Sequence, residues 1–233
     1  MIFNDEVGIM NDESDKLISP IIDENSYAIL QGHPMTKRWI EPITLTGSKV
    51  IVEPLAFEHA DGLREAVKDG ELWKLWFTSI PVPEKMEEYI KTALDMREQA
   101  GAMPFVVREK ESHKIIGSTR YYNVDEVNQR VEIGYTWYAE SVQRTVVNTE
   151  CKYLLLEHAF EKLDAIAVEF RTHWHNHKSR AAIARLGAKQ DGVLRNHTKS
   201  ADGIYRDTVV FSIINLEWLT VKKALEFKLN EQR

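Results

Sequence analysis

Between Val131 and Leu156 the chain runs from a carboxylate on an apolar strand, through a polar loop, into a helix. A loop that feeds a helix N-terminus presents free backbone N–H groups to an anion, so this junction is a candidate phosphate site. The loop, Ser141 to Asn148, contains no glycine, and a plain connection accounts for the same residues. Glu132 has apolar and aromatic neighbours; partial burial there raises a carboxylate pKa and makes it a better base near neutral pH. In regular alternation with Val131 and Ile133 it is equally a solvent-facing strand residue. His173, His175 and His177 alternate in T-H-W-H-N-H, which on an extended backbone sets three imidazoles on one side, as a zinc site requires. No Cys or acidic ligand stands at a matching offset, so partly exposed histidines are the favoured reading and no metal is expected. Cys151 and His158 read as packed residues of the helix after the loop. No G-x-S-x-G elbow, H-E-x-x-H or Walker sequence occurs, which removes support for hydrolase and nucleotide-triphosphatase chemistry.

These groups need a frame. KVIVEPL, from Lys49, predicts a strand, and residues 58–68 carry Ala60, Leu63, Ala66 and Val67 at helical spacing. A short aromatic helical piece follows over residues 71–77. Pro83 then opens a second helix with Met86, Tyr89, Ile90, Ala93 and Leu94 on one face. The runs PFVVRE, KIIGSTRYY and VEIGYTWY predict an antiparallel meander. Asn148-Thr149 is the expected cap of the helix ECKYLLLEHAFEKL, with Tyr153, Leu156, Phe160 and Leu163 as its apolar stripe. The strand AIAVEFRT, a helix over 179–186 stopped at Gly187, strands VLRN and DTVVFSI, and a closing helix over 216–229 complete the order β-α-α-β-β-β-α-β-α-β-β-α.

Residues 1–34 are polar and aperiodic and read as a loosely ordered appendage, or as a regulatory or dimer-contacting arm able to dock through Ile18, Ile21, Ile22, Tyr27, Ile29 and Leu30. Residues 35–233 form one domain. A homodimer is compatible with such an arm. The charge of −6 offers no footprint for nucleic acid or an anionic membrane and suits a cationic or amine-bearing partner. Cys151 is the sole cysteine, the acidic start lacks the pattern of a secretory leader, and no run approaches the length of a membrane span, so a cytoplasmic location is expected.

Four segments in order resemble the GNAT (Gcn5-related) N-acetyltransferases, in particular the ribosomal-protein-alanine (Rim-type) enzymes. Val131-Glu132-Ile133-Gly134-Tyr135 is similar to their glutamate-bearing fourth strand. Gln143-Arg144-Thr145-Val146-Val147-Asn148-Thr149-Glu150 resembles their Q/R-x-x-G-x-G/A acyl-CoA loop followed by Thr-Glu. Asn176-His177-Lys178-Ser179, with Ala182-Ile183, Leu186-Gly187-Ala188 and Gly192-Val193-Leu194-Arg195, is similar to their N-x-x-S…LGF…EG-x-x-R ending, and the strand Asp207 to Ile213 with Glu217-Trp218 to their usual close. The resemblance covers roughly residues 46–219.

It implies an α/β fold with a mixed, mostly antiparallel sheet, splayed between the fourth and fifth strands and flanked by helices. It also implies acetyl-CoA as co-substrate and a primary amine, on a protein N-terminus or a small molecule, as acceptor. Glu132 becomes the candidate base and Ser179 the donor to the departing sulfur, with a plain N-cap as the other reading of Ser179. The implied cofactor-binding set is Trp137, Tyr138, Gln143, Arg144, Thr145, Val146, Val147, Asn148 and Thr149, with Asn176 for the pantetheine amides and Arg180, like Arg144, for phosphates. Trp73, Trp76, Phe77, Tyr121 and Tyr122 are candidates for an acceptor pocket or for the core. Val146 stands where the family carries glycine, Asn148 where a second small residue is usual, and His173 where an aspartate is expected. A β-branched side chain at 146 is expected to weaken CoA binding, and a non-catalytic protein on the same fold is the alternative.

Overall fold

The computed structural model describes residues 38–200 and 203–231; the expected appendage and its docking residues lie outside them. One eight-stranded sheet organises the described chain. Its strands are β1 (Leu45–Thr46), β2 (Val50–Pro54), β3 (Ala102–Glu109), β4 (Ile115–Asp125), β5 (Arg130–Tyr138), β6 (Ala167–His173), β7 (Lys189–Lys199) and β8 (Tyr205–Ile214), in spatial order β1-β2-β3-β4-β5-β6-β8-β7. Every neighbouring pair is antiparallel except β5 and β6. That parallel pair has only three rungs, Arg130–Ala167, Val131–Val168 and Glu132–Glu169. Beyond the third, β5 continues to Tyr138 and β6 to His173 without a shared ladder. The opening falls between the fifth and sixth strands because the two-residue β1, too short to give a periodic signal, precedes those read from sequence.

Among the described residues five α-helices flank the sheet: α1 (Ala60–Lys68), α2 (Met86–Glu98), α3 (Val146–Glu161), α4 (His177–Arg185) and α5 (Asn215–Glu231). Alternation along the strands sorts side chains to two faces. Val131 and Ile133 of β5, Val168 and Phe170 of β6, and Val209, Phe211 and Ile213 of β8 share one core with Leu155 and Leu156 of α3 and Leu225 of α5. Val106 and Trp137 join α1 and α2 in a second core on the other face. α3 is buried well beyond the stripe expected of it, since Cys151, Lys152, Leu155, His158 and Ala159 are also buried; it is enclosed by the sheet on one side and α5 on the other.

Candidate active site

Glu132 is 1% exposed, so it is not the solvent-facing residue that alternation alone allows. It stands on the last rung of the parallel pair and on the α1–α2 face, opposite Glu169. The Tyr122 hydroxyl donates to its Oε1, Asn123 Nδ2 donates to Oε2 at 2.8 Å, and Arg171 Nε lies 3.4 Å from Oε2. Burial lifts the Glu132 pKa above the usual carboxylate value, while the bonds from Tyr122 and Asn123 and the Arg171 charge draw it back without cancelling the rise. Glu169 is held on the other side of normal: Arg130 and Arg171 both donate to it and keep its pKa low despite burial. Tyr122 is half-buried and so forms the exposed edge of the Glu132 cluster.

The loop between β5 and α3 is shaped by two hydrogen bonds and one left-handed residue. Gln143 Nε2 donates to the Tyr138 carbonyl at 3.0 Å and ties the loop to the end of β5. Arg144 takes a left-handed backbone, φ 61°, and Thr145 caps α3 by accepting from the Val147 N–H. The cap is therefore Thr145 rather than Asn148-Thr149, and the helix starts four residues earlier than its sequence suggests, at Val146 instead of Glu150. Val146 is its first helical residue and Val147 and Asn148 complete a first turn whose N–H groups have no intrahelical acceptor. Thr149 is buried beneath that turn. Trp137 and Tyr138 side chains belong to the two cores, on opposite faces, which leaves their backbone to border the opening.

Glu150 holds this helix end in place. Its carboxylate accepts from the backbone N–H groups of Ser48, Lys49 and Val50 and from the Ser48 hydroxyl, at 2.6–2.9 Å. Gly47 permits the approach, because a Cβ there would sit 2.6 Å from the carboxyl carbon.

Beyond β6, Asn176 caps α4, its Oδ1 accepting from the Ser179 N–H at 3.0 Å. Ser179 is thus the third residue of the helix, not its cap, and its hydroxyl has no hydrogen-bond partner among the described residues. The Asn176 Nδ2 group likewise remains available to a ligand carbonyl. Arg180 lies 4.3 Å over the Trp174 ring and donates to the Trp174 carbonyl, so its charge is held across its own turn. The three histidines do not share one side: His173 ends β6, His175 lies in the turn and His177 opens α4. Among the described residues no group of His, Cys, Asp and Glu is placed to hold a metal. His173 Nδ1 accepts from the His175 N–H, and burial with the nearby Arg206 charge pulls its pKa down. Exposed Trp76 packs edge-on against the His173 ring at 5.0 Å, with Phe77 beside it. Trp76, Phe77 and Tyr122 therefore border this face, whereas Trp73 packs on the α1–α2 core and Tyr121 is fully buried on the α3 side, donating to the Leu155 carbonyl.

Two buried cations escaped the sequence reading. Lys152 Nζ donates to Thr136 Oγ1 at 2.6 Å and to Thr119 Oγ1 at 3.1 Å, with burial drawing its pKa down to about 8. Arg120 lies on β4 between Ser118 and Tyr122 and is 1% exposed. The signal for the second was a charge inside the β-rich run KIIGSTRYY, where alternation sets it on the same face as Tyr122.

A buried carboxylate and the N-terminal turn of α3 thus lie beside the parting of the sheet. The model of the acetyltransferase (GNAT) domain matches residues 49–189, more than half the chain. "Putative ribosomal N-acetyltransferase YdaF" of Bacillus subtilis (strain 168) is 32% identical over 104 residues, 45% of this chain and 56% of that protein, so the alignment spans little more than half of the relative. A structure from T. thermophilus described as a "putative acetyltransferase" is 30% identical with a TM-score of 0.72, covering 82% of this chain and 99% of that one. Mycobacterium smegmatis RimJ, solved in complex with CoA-disulfide, shares the fold at a TM-score of 0.68 and 19% identity over 80% of this chain and 95% of its own. The chain belongs to the GNAT acetyltransferase family. No helix among the described residues is long and apolar enough to cross a membrane.

Proposed function

We propose that the protein is an N-acetyltransferase that passes the acetyl group of acetyl-CoA to a primary amine, on a protein N-terminus or a small molecule, by direct attack. The observation that carries this reading is the conjunction, at the end of the three-rung β5–β6 ladder, of buried Glu132 with the first turn of α3, where Thr145 takes the Val147 N–H and those of Val146 and Asn148 have no intrahelical acceptor. The N–H groups of Val146 and Asn148, and the Arg144 side chain, would hold the phosphates, and Asn176 Nδ2 a pantetheine carbonyl. Bound acetyl-CoA supplies an activated thioester.

Glu132 and Tyr122 together remove the proton from the acceptor ammonium. The half-buried Tyr122 oxygen takes it while the Tyr122 hydroxyl hydrogen passes to Glu132, along the hydrogen bond already present. The elevated Glu132 pKa favours acceptance near neutral pH. Ser179, whose hydroxyl is unengaged, donates to the departing sulfur. Trp76 and Phe77, in edge-to-face contact at 5.6 Å, border the same face.

Calorimetric titration of acetyl-CoA, followed by steady-state assays of Glu132→Gln and Ser179→Ala, tests the reading. Acetyl-CoA should bind all three proteins alike, and kcat should fall by about 10²-fold or more for the glutamine variant. Unchanged turnover in both variants would remove these roles, and no binding at millimolar acetyl-CoA would overturn the function itself.

A further inference from the structure

Four guanidinium groups, of Arg120, Arg130, Arg171 and Arg206, approach the α1–α2 face near the opening, against two carboxylates, Glu132 and Glu169. Arg120 has no carboxylate partner among the described residues. Its Nη1 reaches only the Met96 sulfur at 3.3 Å and its buried Nε has no hydrogen bond. The guanidinium instead lies between rings, 3.9 Å from the centroid of Tyr135 and 5.3 Å from that of Tyr89. Burying a charge without a counter-ion is costly, and ring faces return only part of the loss.

The surroundings are built to keep it there. β5 carries a bulge between its Gly134 and Trp137 pairings, and within it Tyr135 holds a left-handed φ of 50°, which aims the ring at Arg120. A cleft runs up from the guanidinium, walled by Ser79, Pro81, Tyr89, Thr92 and Tyr135, with exposed Lys85 and Glu88 of opposite sign at its rim. The Tyr135 ring also meets the Tyr122 ring edge-on at 5.0 Å, and Tyr122 donates to Glu132. Arg120 pairs with Gly134, two residues along β5 from Glu132, so Arg120 and Glu132 are diagonal neighbours on one face of the sheet, their Cα atoms roughly 7–8 Å apart.

We propose that the acceptor is a primary amine that also carries a carboxylate several bonds away, with the carboxylate paired to Arg120 and the amine directed to Tyr122 and Glu132. This rests on the acetyl-transfer reading above. Two sources supply the chemistry: a free amino acid with an acidic side chain, or a peptide with an acidic residue next to its N-terminus.

Two matched pairs distinguish the sources: free glutamate against glutamine, and Ser-Glu amide against Ser-Gln amide. The wild type should favour the acidic member of at least one pair by tenfold or more in kcat/KM, mainly through KM, and the favoured pair names the source. Arg120→Met should bring both ratios to within about twofold of unity, provided its melting temperature shows it folded. Equal use of the acidic and neutral members by the wild type, or a preference that survives in Arg120→Met, overturns the inference and leaves acetyl transfer standing. A binding measurement needs no turnover and no variant: glutarate should raise the wild-type melting temperature and glutaramide should not. Equal shifts, or none with glutarate, also overturn it, even where acetyl transfer itself is absent.

Discussion

Val146 has helical backbone, and the left-handed residue of the phosphate loop is Arg144. The family pattern puts the missing glycine at 146, but backbone strain arises where φ is positive. Arg144→Gly should therefore raise the stability of the ligand-free protein by about 0.5–1 kcal/mol, the relief of a left-handed residue less the entropy that glycine adds to the unfolded chain. Val146→Gly should lower it by about 0.5–1 kcal/mol. Urea unfolding of both variants decides; a more stable Val146→Gly would return the strain to 146. Lys152 gives a second expectation. Its folded pKa, near 8, lies below the 10.5 of a free lysine, so between these values the unfolded chain binds more protons and stability rises with pH. Lys152→Met should abolish that rise and be at least as stable at pH 7, since Thr119 and Thr136 still hydrogen-bond to each other. An unchanged pH slope in the methionine variant would show that the lysine is charged without penalty. Nothing in the run CKYLLL marked this residue as buried, because a lysine on an amphipathic helix normally reaches water.

At the scale of elements, the Thr-Glu that closes the acyl-CoA motif was legible as a family signature but not as a joint. The reason is that its partners, the turn from Gly47 to Val50, lie far away in sequence. Glu150→Ala would strand three backbone N–H groups and should cost about 3–5 kcal/mol, with Glu150→Gln milder. Gly47→Ala should also destabilise, by pushing against the carboxylate. Both variants should loosen acetyl-CoA binding, because the clamp fixes the first turn of α3; full affinity in a folded Glu150→Gln would separate the clamp from the loop. The meander β3–β4–β5, α2, β8 and the closing helix are readable because each is long, whereas of β7, Lys189–Lys199, only VLRN is, since nearly all its side chains are exposed and no alternation marks its ends. The shifted cap of α3 was not, as Thr145 and Asn148 are equally suitable capping types and only the turn at Arg144 selects between them. Asn176, a ligand group by resemblance, is also a cap, and one side chain serves both with its two different ends.

Across the whole molecule, burial lowers the pKa of His59, His158 and His173, each on a different element. A histidine whose folded pKa is depressed stays neutral in the native state while its unfolded form charges below about 6.5, so stability is lost as pH falls through that value. The urea midpoint should drop between pH 6.5 and 5 with net uptake of about one to three protons on unfolding. A flat midpoint over that range would mean the three rings are free to charge in place. The opening of the sheet was foreseeable only through the resemblance, since a parallel pair that stops after three rungs leaves no trace in hydrophobic alternation. Its consequence is mechanical. A sheet joined at its middle by three rungs has a built-in line of weakness, and tension applied across it, between β3 and β8, should part the two halves at β5–β6 before any antiparallel hairpin gives way. A ligand spanning the opening would act as a splint, and the force needed to break the protein would then report directly on whether that opening is filled.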